Sequence, residues 1–140
     1  MDKTTPVGQI MTTDVITVAP NDTMDKIRDI FNRHPIHHVP VQDNGKVVGI
    51  ISETDYLKLV NTFTVFRTTH SEAYNDALLH ALLVREVMTR QVATIYPEDS
   101  VEIAAGYFRE NLFRALPVVN RNGELVGIVT TYDLLNFAFS

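Results

Sequence analysis

The sequence predicts an α/β (α+β) fold of two pseudo-symmetric units, each running strand, helix, strand, strand, helix. Three observations predict it. Gly49-Ile50-Ile51-Ser52-Glu53-Thr54-Asp55 returns as Gly127-Ile128-Val129-Thr130-Thr131-Tyr132-Asp133. Upstream landmarks recur in the same order: Val7-Gly8-Gln9-Ile10-Met11-Thr12 with Val84-Arg85-Glu86-Val87-Met88-Thr89, Thr17-Val18-Ala19-Pro20 with Thr94-Ile95-Tyr96-Pro97, and Val39-Pro40-Val41 with Leu116-Pro117-Val118. Met88 follows Met11 by 77 residues and Asp133 follows Asp55 by 78, so one residue is inserted, where Asp43-Asn44-Gly45-Lys46 becomes Asn120-Arg121-Asn122-Gly123-Glu124. Two copies are too few for a solenoid, so the pair is expected to bury a shared core.

Taken in order, residues 1–6 form a polar lead, and Val15–Ala19, apolar or β-branched and closed by Pro20, reads as a short strand. Asp22 is placed to cap a helix whose Met24, Ile27, Ile30 and Phe31 share one face, with Asp25 three residues on. His37–Gln42 and Lys46–Ile51 read as strands around a tight Asn44-Gly45 turn, and a helix from Ser52 carries Tyr56, Leu57 and Val60. The second copy repeats this, with Thr94 at the end of its first strand, then Asp99, Glu102 and an apolar stripe of Val101, Ala104, Ala105, Phe108 and Leu112. Strands at Ala115–Val119 and Leu125–Val129 follow, then a helix from Thr130 with Leu134, Leu135 and Phe137. The domain organisation is a first copy at 7–60, a connecting segment at 61–83 and a second copy at 84–139. In the connection, Phe63, Val65 and Phe66 suggest an apolar patch, and Ser71 a helix cap ahead of Tyr74, Ala77, Leu78, Ala81 and Leu82. It reads as a cover for apolar surface, with a lid or a dimer contact as the sharper alternative.

Bulk properties exclude several function classes. A chain of 140 residues buries roughly 68–70% of its unfolded surface and holds a real core. It has no cysteine, which removes disulfides, thiolate zinc sites and a Cys nucleophile and fits a reducing interior. No signal pattern precedes Val7, and the most apolar run, Ala77–Val84, contains His80 and falls far short of the ~20 residues of a membrane span. The expected setting is soluble and cytoplasmic, with no membrane partner. A net charge of −5 with both signs interspersed offers no basic field for nucleic acid.

The doubled set of Ile-Met-Thr or Val-Met-Thr, Pro-Val, and Gly-Ile-Ile-Ser-x-x-Asp or Gly-Ile-Val-Thr-x-x-Asp resembles the CBS domain pair, also called a Bateman module. The likeness covers nearly all of Val7–Phe139 apart from the connection. It implies two units packed through their sheets, two clefts related by a pseudo-twofold axis, and a homodimer. It also implies that the clefts bind adenosine compounds, chiefly AMP, ADP or ATP and in some members S-adenosylmethionine, to regulate an attached or partner protein. Carried over residue by residue, Asp55 and Asp133 accept from the ribose hydroxyls, while Ser52 and Thr130 face the ribose-phosphate. Thr17 and Thr94 meet adenine through backbone groups. His37, His38 and Val39 before Pro40, and Arg114, Ala115 and Leu116 before Pro117, supply the cleft wall and the charge facing phosphate.

The chemistry of these residues is consistent with that role. Helix starts at Ser52 and Thr130 present unpaired N–H groups and a dipole suited to an anion, and a carboxylate matches the two donors of a vicinal diol. Strand ends beside Pro20 and Pro97 offer an apolar slot with backbone donors and acceptors for adenine. A second reading stays open, because Ser-x-x-Asp and Thr-x-x-Asp are also capping boxes, and a duplicated cap repeats too. Gly49 and Gly127 either allow a close backbone approach or ease a twisted strand, and Met11 and Met88 read as core filler. Arg114 is either a phosphate-binding fork or a solvated surface residue; His37 takes its place in the first copy, so unequal clefts are expected. A His at the phosphate would make that site pH-sensitive.

His37 and His38 point to opposite faces of a strand, so no metal site is expected. No nucleophile triad or phosphate-loop glycine pattern is present, and the chain is expected to be a regulatory module, not an enzyme. The sequence ends at Ser140 directly after the last helix, so, unless the chain is a fragment of a longer protein, the output is expected to act in trans on an unidentified protein. The alternatives are a structural dimerisation module with degenerate clefts and an S-adenosylmethionine binder.

Overall fold

The computed structural model describes residues 2–63, 71–110 and 113–140. In chain order its elements are helix α1 (Met24–Arg33), strands β1 (His38–Asp43) and β2 (Lys46–Ser52), helices α2 (Glu53–Phe63), α3 (Ser71–Ala81), α4 (Val84–Val87) and α5 (Val101–Arg109), strands β3 (Ala115–Val119) and β4 (Leu125–Thr130), and helix α6 (Thr131–Ala138). The strands form two antiparallel hairpins, β1-β2 and β3-β4. At the first turn Asn44 (φ 53°) and Gly45 (φ 82°) both lie in the left-handed region, as a two-residue hairpin loop of this hand requires. In the longer second turn the Asn120 Oδ1 accepts from the N–H groups of Asn122 and Glu124, each at 3.0 Å.

The expected strand at Val15–Ala19 and its counterpart around Thr94 shrink to one paired residue each. The Val18 N–H donates to the Pro40 carbonyl (3.2 Å) and the Gln42 N–H donates to the Val18 carbonyl (3.0 Å). Ile95 makes the same parallel bridge with Pro117 and Val119, at 3.1 and 2.9 Å. Both ends of each ladder are blocked by proline. Pro40 and Pro117 have no N–H for the carbonyls of Ile16 and Ala93, and Pro20 and Pro97 have none to give to Gln42 and Val119.

The helix caps also differ from expectation. Thr23 and Ser100 take the N-cap positions, and the Ser100 Oγ accepts from the Ile103 N–H at 3.4 Å. Asp22 and Asp99 instead reach back across Pro20 and Pro97, accepting from the N–H groups of Ala19 (2.8 Å) and Tyr96 (2.9 Å). A short side chain that can satisfy a turn N–H locally competes with its own use as a cap.

Contacts divide the chain into two compact units, one of Met1–Ile16, Asn44–Val47 and Gln91–Ser140, the other of Thr17–Asp43 and Val48–Arg90. Their boundaries cross the sequence repeats. Thr12, from the opening of the first repeat, is bridged to Ile128 of the second through bonds of 2.8 and 2.9 Å. Thr89, from the opening of the second, is bridged to Ile50 of the first through bonds of 3.0 and 3.1 Å. Each Met-Thr segment therefore completes the hairpin of the other repeat.

In the unit holding the second hairpin, Val7, Ile95, Ala104, Leu116, Val118 and Val129 form the buried core, with Met11, Tyr107 and Phe113 packed on it. All five residues of β3 are buried, which explains their unbroken apolar run. In the other unit the buried residues include Met24, Ile27, Val39, Val41, Ile51 and Met88. There the rings of Phe31 and Tyr56 meet at 5.8 Å between α1 and α2.

Helix α3 packs on α1 and α2 with Leu79 2% exposed, whereas the expected face residues Ala77 and Ala81 lie on the solvent side. Around Leu79, His80 Nδ1 meets Asp25 Oδ2 at 2.9 Å and Arg28 pairs with Asp76. Val65, Phe66 and Leu112, and the side chains of Phe63, Ser71 and Tyr74, lie outside the described residues.

The Asp25 carboxyl is held below the usual carboxylate range, first by the Thr23 hydroxyl and then by His80. A carboxyl lowered in the folded state stabilises the fold fully above its unfolded value, about 3.9, and loses that contribution as pH falls through the lower folded value. Asp25→Asn is therefore expected to lower the melting temperature at pH 7 and to converge on the parent chain toward pH 2–3, the acid side of that about 3.9 value. Thermal melts across that range check it, and a constant gap between the two proteins would show that Asp25 acts through packing instead.

Candidate functional site

The sequence-predicted residues gather at equivalent places in the two units. In the first, Ser52 ends β2 and its Oγ accepts from the Asp55 N–H at 3.0 Å. The Glu53 N–H donates to the His37 carbonyl at 2.8 Å, which seats the residue before β1 against the start of α2. The exposed His37 ring faces Glu53, Nδ1 to Oε1 at 3.2 Å. His38 is half-buried, and Val39 and Pro40 are buried beneath it. The Thr17 Oγ1 accepts from the Gln42 Nε2 at 2.9 Å.

In the second unit the Thr131 N–H donates to the Arg114 carbonyl at 3.2 Å, repeating the backbone link. Arg114 is exposed, Ala115 and Pro117 are buried, and Thr94 is exposed beside the bridging Ile95. Among the described residues no hydrogen bond joins Thr17 to Asp55 or Thr94 to Asp133.

The two aspartates stand in different states. Asp133 completes a capping box: the Thr130 Oγ1 accepts from its N–H at 3.2 Å, while its Oδ2 accepts from the Thr130 N–H (3.0 Å) and hydroxyl (3.1 Å). Its Oδ1 accepts from the Thr12 hydroxyl at 3.2 Å. Asp55 makes only the outward half of this motif, since no bond from Ser52 returns to its carboxylate. The same four-residue pattern therefore caps fully in one copy, and in the other leaves a half-buried carboxylate with no bond from its Ser52.

The helix starts offer less to an anion than bare helix ends do. The first N–H of each is taken by the His37 or Arg114 carbonyl and the third by Ser52 or Thr130. This leaves the N–H groups of Thr54 and Tyr132 without a loop or side-chain acceptor among the described residues, so charge for a phosphate has to come from side chains. Sequence reasoning missed Thr12 and Glu53. Thr12 was visible as part of the repeated Met-Thr pair but not as a partner of the distant Asp133. Glu53 was visible only as the mismatch to Thr131. Among the described residues no cluster of three or more His, Asp or Glu could hold a metal ion, and no helix is long and apolar enough to cross a membrane.

Comparison with known proteins places this geometry in a family. The family model described as "CBS domain" matches residues 7–62 and 84–140. MJ1225 of Methanocaldococcus jannaschii, described as a proposed archaeal homologue of γ-AMPK, is 29% identical and its structure superposes with a TM-score of 0.84 over 100% of this chain. The chain spans about half of that relative, 48% of its sequence and 49% of its structure. CBSX2, solved in complex with AMP and elsewhere described as from Arabidopsis thaliana, is 27% identical, with a TM-score of 0.78 over 96% of both chains. The CBS domain pair of MJ0100, solved with 5′-methylthioadenosine and S-adenosyl-L-methionine, is 27% identical, with a TM-score of 0.77 over 96% of this chain and 95% of that one. With both repeats matched and the two-hairpin fold shared end to end, this chain belongs to the CBS domain family, as a tandem CBS pair.

Proposed function

We propose that this chain is a regulatory module that binds adenosine-containing ligands through Asp55 and Asp133 and passes its state to a protein partner, with no catalysis of its own. The observation that carries this reading is the full-length likeness to a CBS pair in complex with AMP. Each aspartate sits one turn into a helix that follows a strand. The carboxylate is thus presented to a diol, while the buried Val39-Pro40 or Leu116-Pro117 provides an apolar floor. The absence of cysteine suits a cytoplasmic setting.

The module acts as a homodimer in this reading. A groove of about 410 Å3 between α5 and α6 is lined by Val101, Ala105, Phe108, Leu134 and Leu135, and the exposed Tyr132 and Phe139 lie on or just beyond α6. An apolar groove and exposed aromatic side chains on or beside the same helix, α6, are the elements from which a twofold contact is built. Ligand changes the output only through unequal affinity for two states of the assembly. The full capping box of Asp133 favours a second reading, a structural dimerisation module in which that aspartate is a cap alone.

Titration calorimetry against AMP, ADP, ATP, S-adenosylmethionine and adenosine tests the choice. Saturable binding of at least one of them is expected. Asp55→Asn should weaken a ligand at its site about 10–100-fold, the value of a charge-assisted hydrogen bond, with the melting temperature nearly unchanged because that carboxylate receives no bond from Ser52. Silence across the panel in folded, ligand-free protein would leave the structural module as the reading.

A further inference from the structure

We infer that the two sites select opposite charge at the 5′ end of the ligand: the Asp133 site takes a phosphorylated adenosine, and the Asp55 site takes one whose 5′ substituent is neutral or cationic. This rests on the proposed ribose role of both aspartates. Beyond that role, the inference comes from two substitutions between the repeats, His37 for Arg114 and Glu53 for Thr131.

The same backbone link makes the comparison like for like. Glu53 and Thr131 are each the first residue of their helix, and each donates its N–H to the carbonyl of His37 or Arg114, at 2.8 and 3.2 Å. At the Asp133 site these two positions supply a permanently charged guanidinium and a neutral hydroxyl. The carboxylate already accepts three bonds, from Thr130 and Thr12, so its charge is partly satisfied before a ligand arrives.

At the Asp55 site the first helical residue is itself a carboxylate, two positions from a second one that receives no bond from Ser52. The nearby imidazole is turned to Glu53, Nδ1 to Oε1 at 3.2 Å, so its charge, when present, is matched locally. A dianionic phosphate there approaches the Glu53 and Asp55 carboxylates with the Thr54 N–H and, in place of a guanidinium, only the imidazoles of His37 and His38. A sulfonium or an uncharged thioether meets no repulsion, and the cation gains from both carboxylates.

The test is calorimetry with AMP, 5′-methylthioadenosine and S-adenosylmethionine, alone and with AMP saturating. AMP is expected to bind at about one per chain, and S-adenosylmethionine to bind the AMP-saturated protein with affinity within about twofold of that for the free protein. Arg114→Ala should weaken AMP at least tenfold and leave S-adenosylmethionine unaffected. Glu53→Gln should weaken S-adenosylmethionine severalfold and raise the AMP stoichiometry from one toward two. Both residues are surface-accessible, so circular dichroism is expected to match the parent chain. Full competition between AMP and S-adenosylmethionine, or equal effects of each substitution on both ligands, overturns the charge selection while the sensor reading stands. Binding of none of the three ligands overturns both.

Discussion

Leu116→Ala is expected to lower the unfolding free energy by about 2–5 kcal/mol, the usual range for truncating a buried leucine to a methyl group. Leu116 is 0% exposed and lies in β3, a strand buried on both faces, so neither side can open to water to relieve the cavity. Its neighbours in the core, Val7, Ile95, Ala104 and Val129, come from four separate segments. Several of them are fixed by backbone bonds, Val7 N–H to Asp99 O at 2.7 Å and Ile95 N–H to Pro117 O at 3.1 Å, which limits collapse into the space. Denaturant titration checks this, with the midpoint shifted and the slope unchanged. A loss below about 1 kcal/mol, under the Leu→Ala range, would mean that the side chain is not packed as described.

Gly127→Ala is expected to cost about 1–3 kcal/mol, although it adds one methyl group. A Cβ at Gly127 would stand 2.5 Å from the Met11 Sδ, 3.0 Å from its Cγ and 3.0 Å from the Thr12 carbonyl oxygen. The methionine can swing aside. The carbonyl cannot move freely, because it accepts from the Ile128 N–H at 2.9 Å, in the bridge that docks the Met-Thr segment. Gly49 is matched: a Cβ there meets Met88 and, at 3.1 Å, the Thr89 carbonyl. Faster hydrogen exchange at Ile128 than at Val118, together with the lost stability, identifies opening of the bridge. Unchanged exchange at Ile128 would assign the cost to the methionine alone.

These two glycines show where sequence reading stopped. The Gly-Ile-x-Ser/Thr-x-x-Asp repeat places each glycine on a strand before a helix, and both hairpins and both following helices were legible from period and turn chemistry. Which segment leans on the glycine was not, because a repeat shows that two Met-Thr segments exist but not which hairpin each one joins. The missing N–H groups of Pro20, Pro40, Pro97 and Pro117 were visible from the outset. Their effect on strand length needed the pairing partners. Leu79 was passed over because the face of α3 is set by α1 and α2, not by the helix's own weak periodicity. At the site, Ser52-x-x-Asp55 and Thr130-x-x-Asp133 look alike in sequence, and only the fold separates a closed capping box from an open one.

The crossing of the Met-Thr segments bears on how such a chain arises. A single-repeat ancestor would have Met and Thr at one end and a glycine gap in its own hairpin that those residues do not fill. It would complete its fold by lending that segment to a second copy and borrowing the same segment back, a reciprocal domain swap. Gene duplication would join the two copies and make the loan intramolecular, held by the effective concentration of the connecting segment and independent of protein concentration.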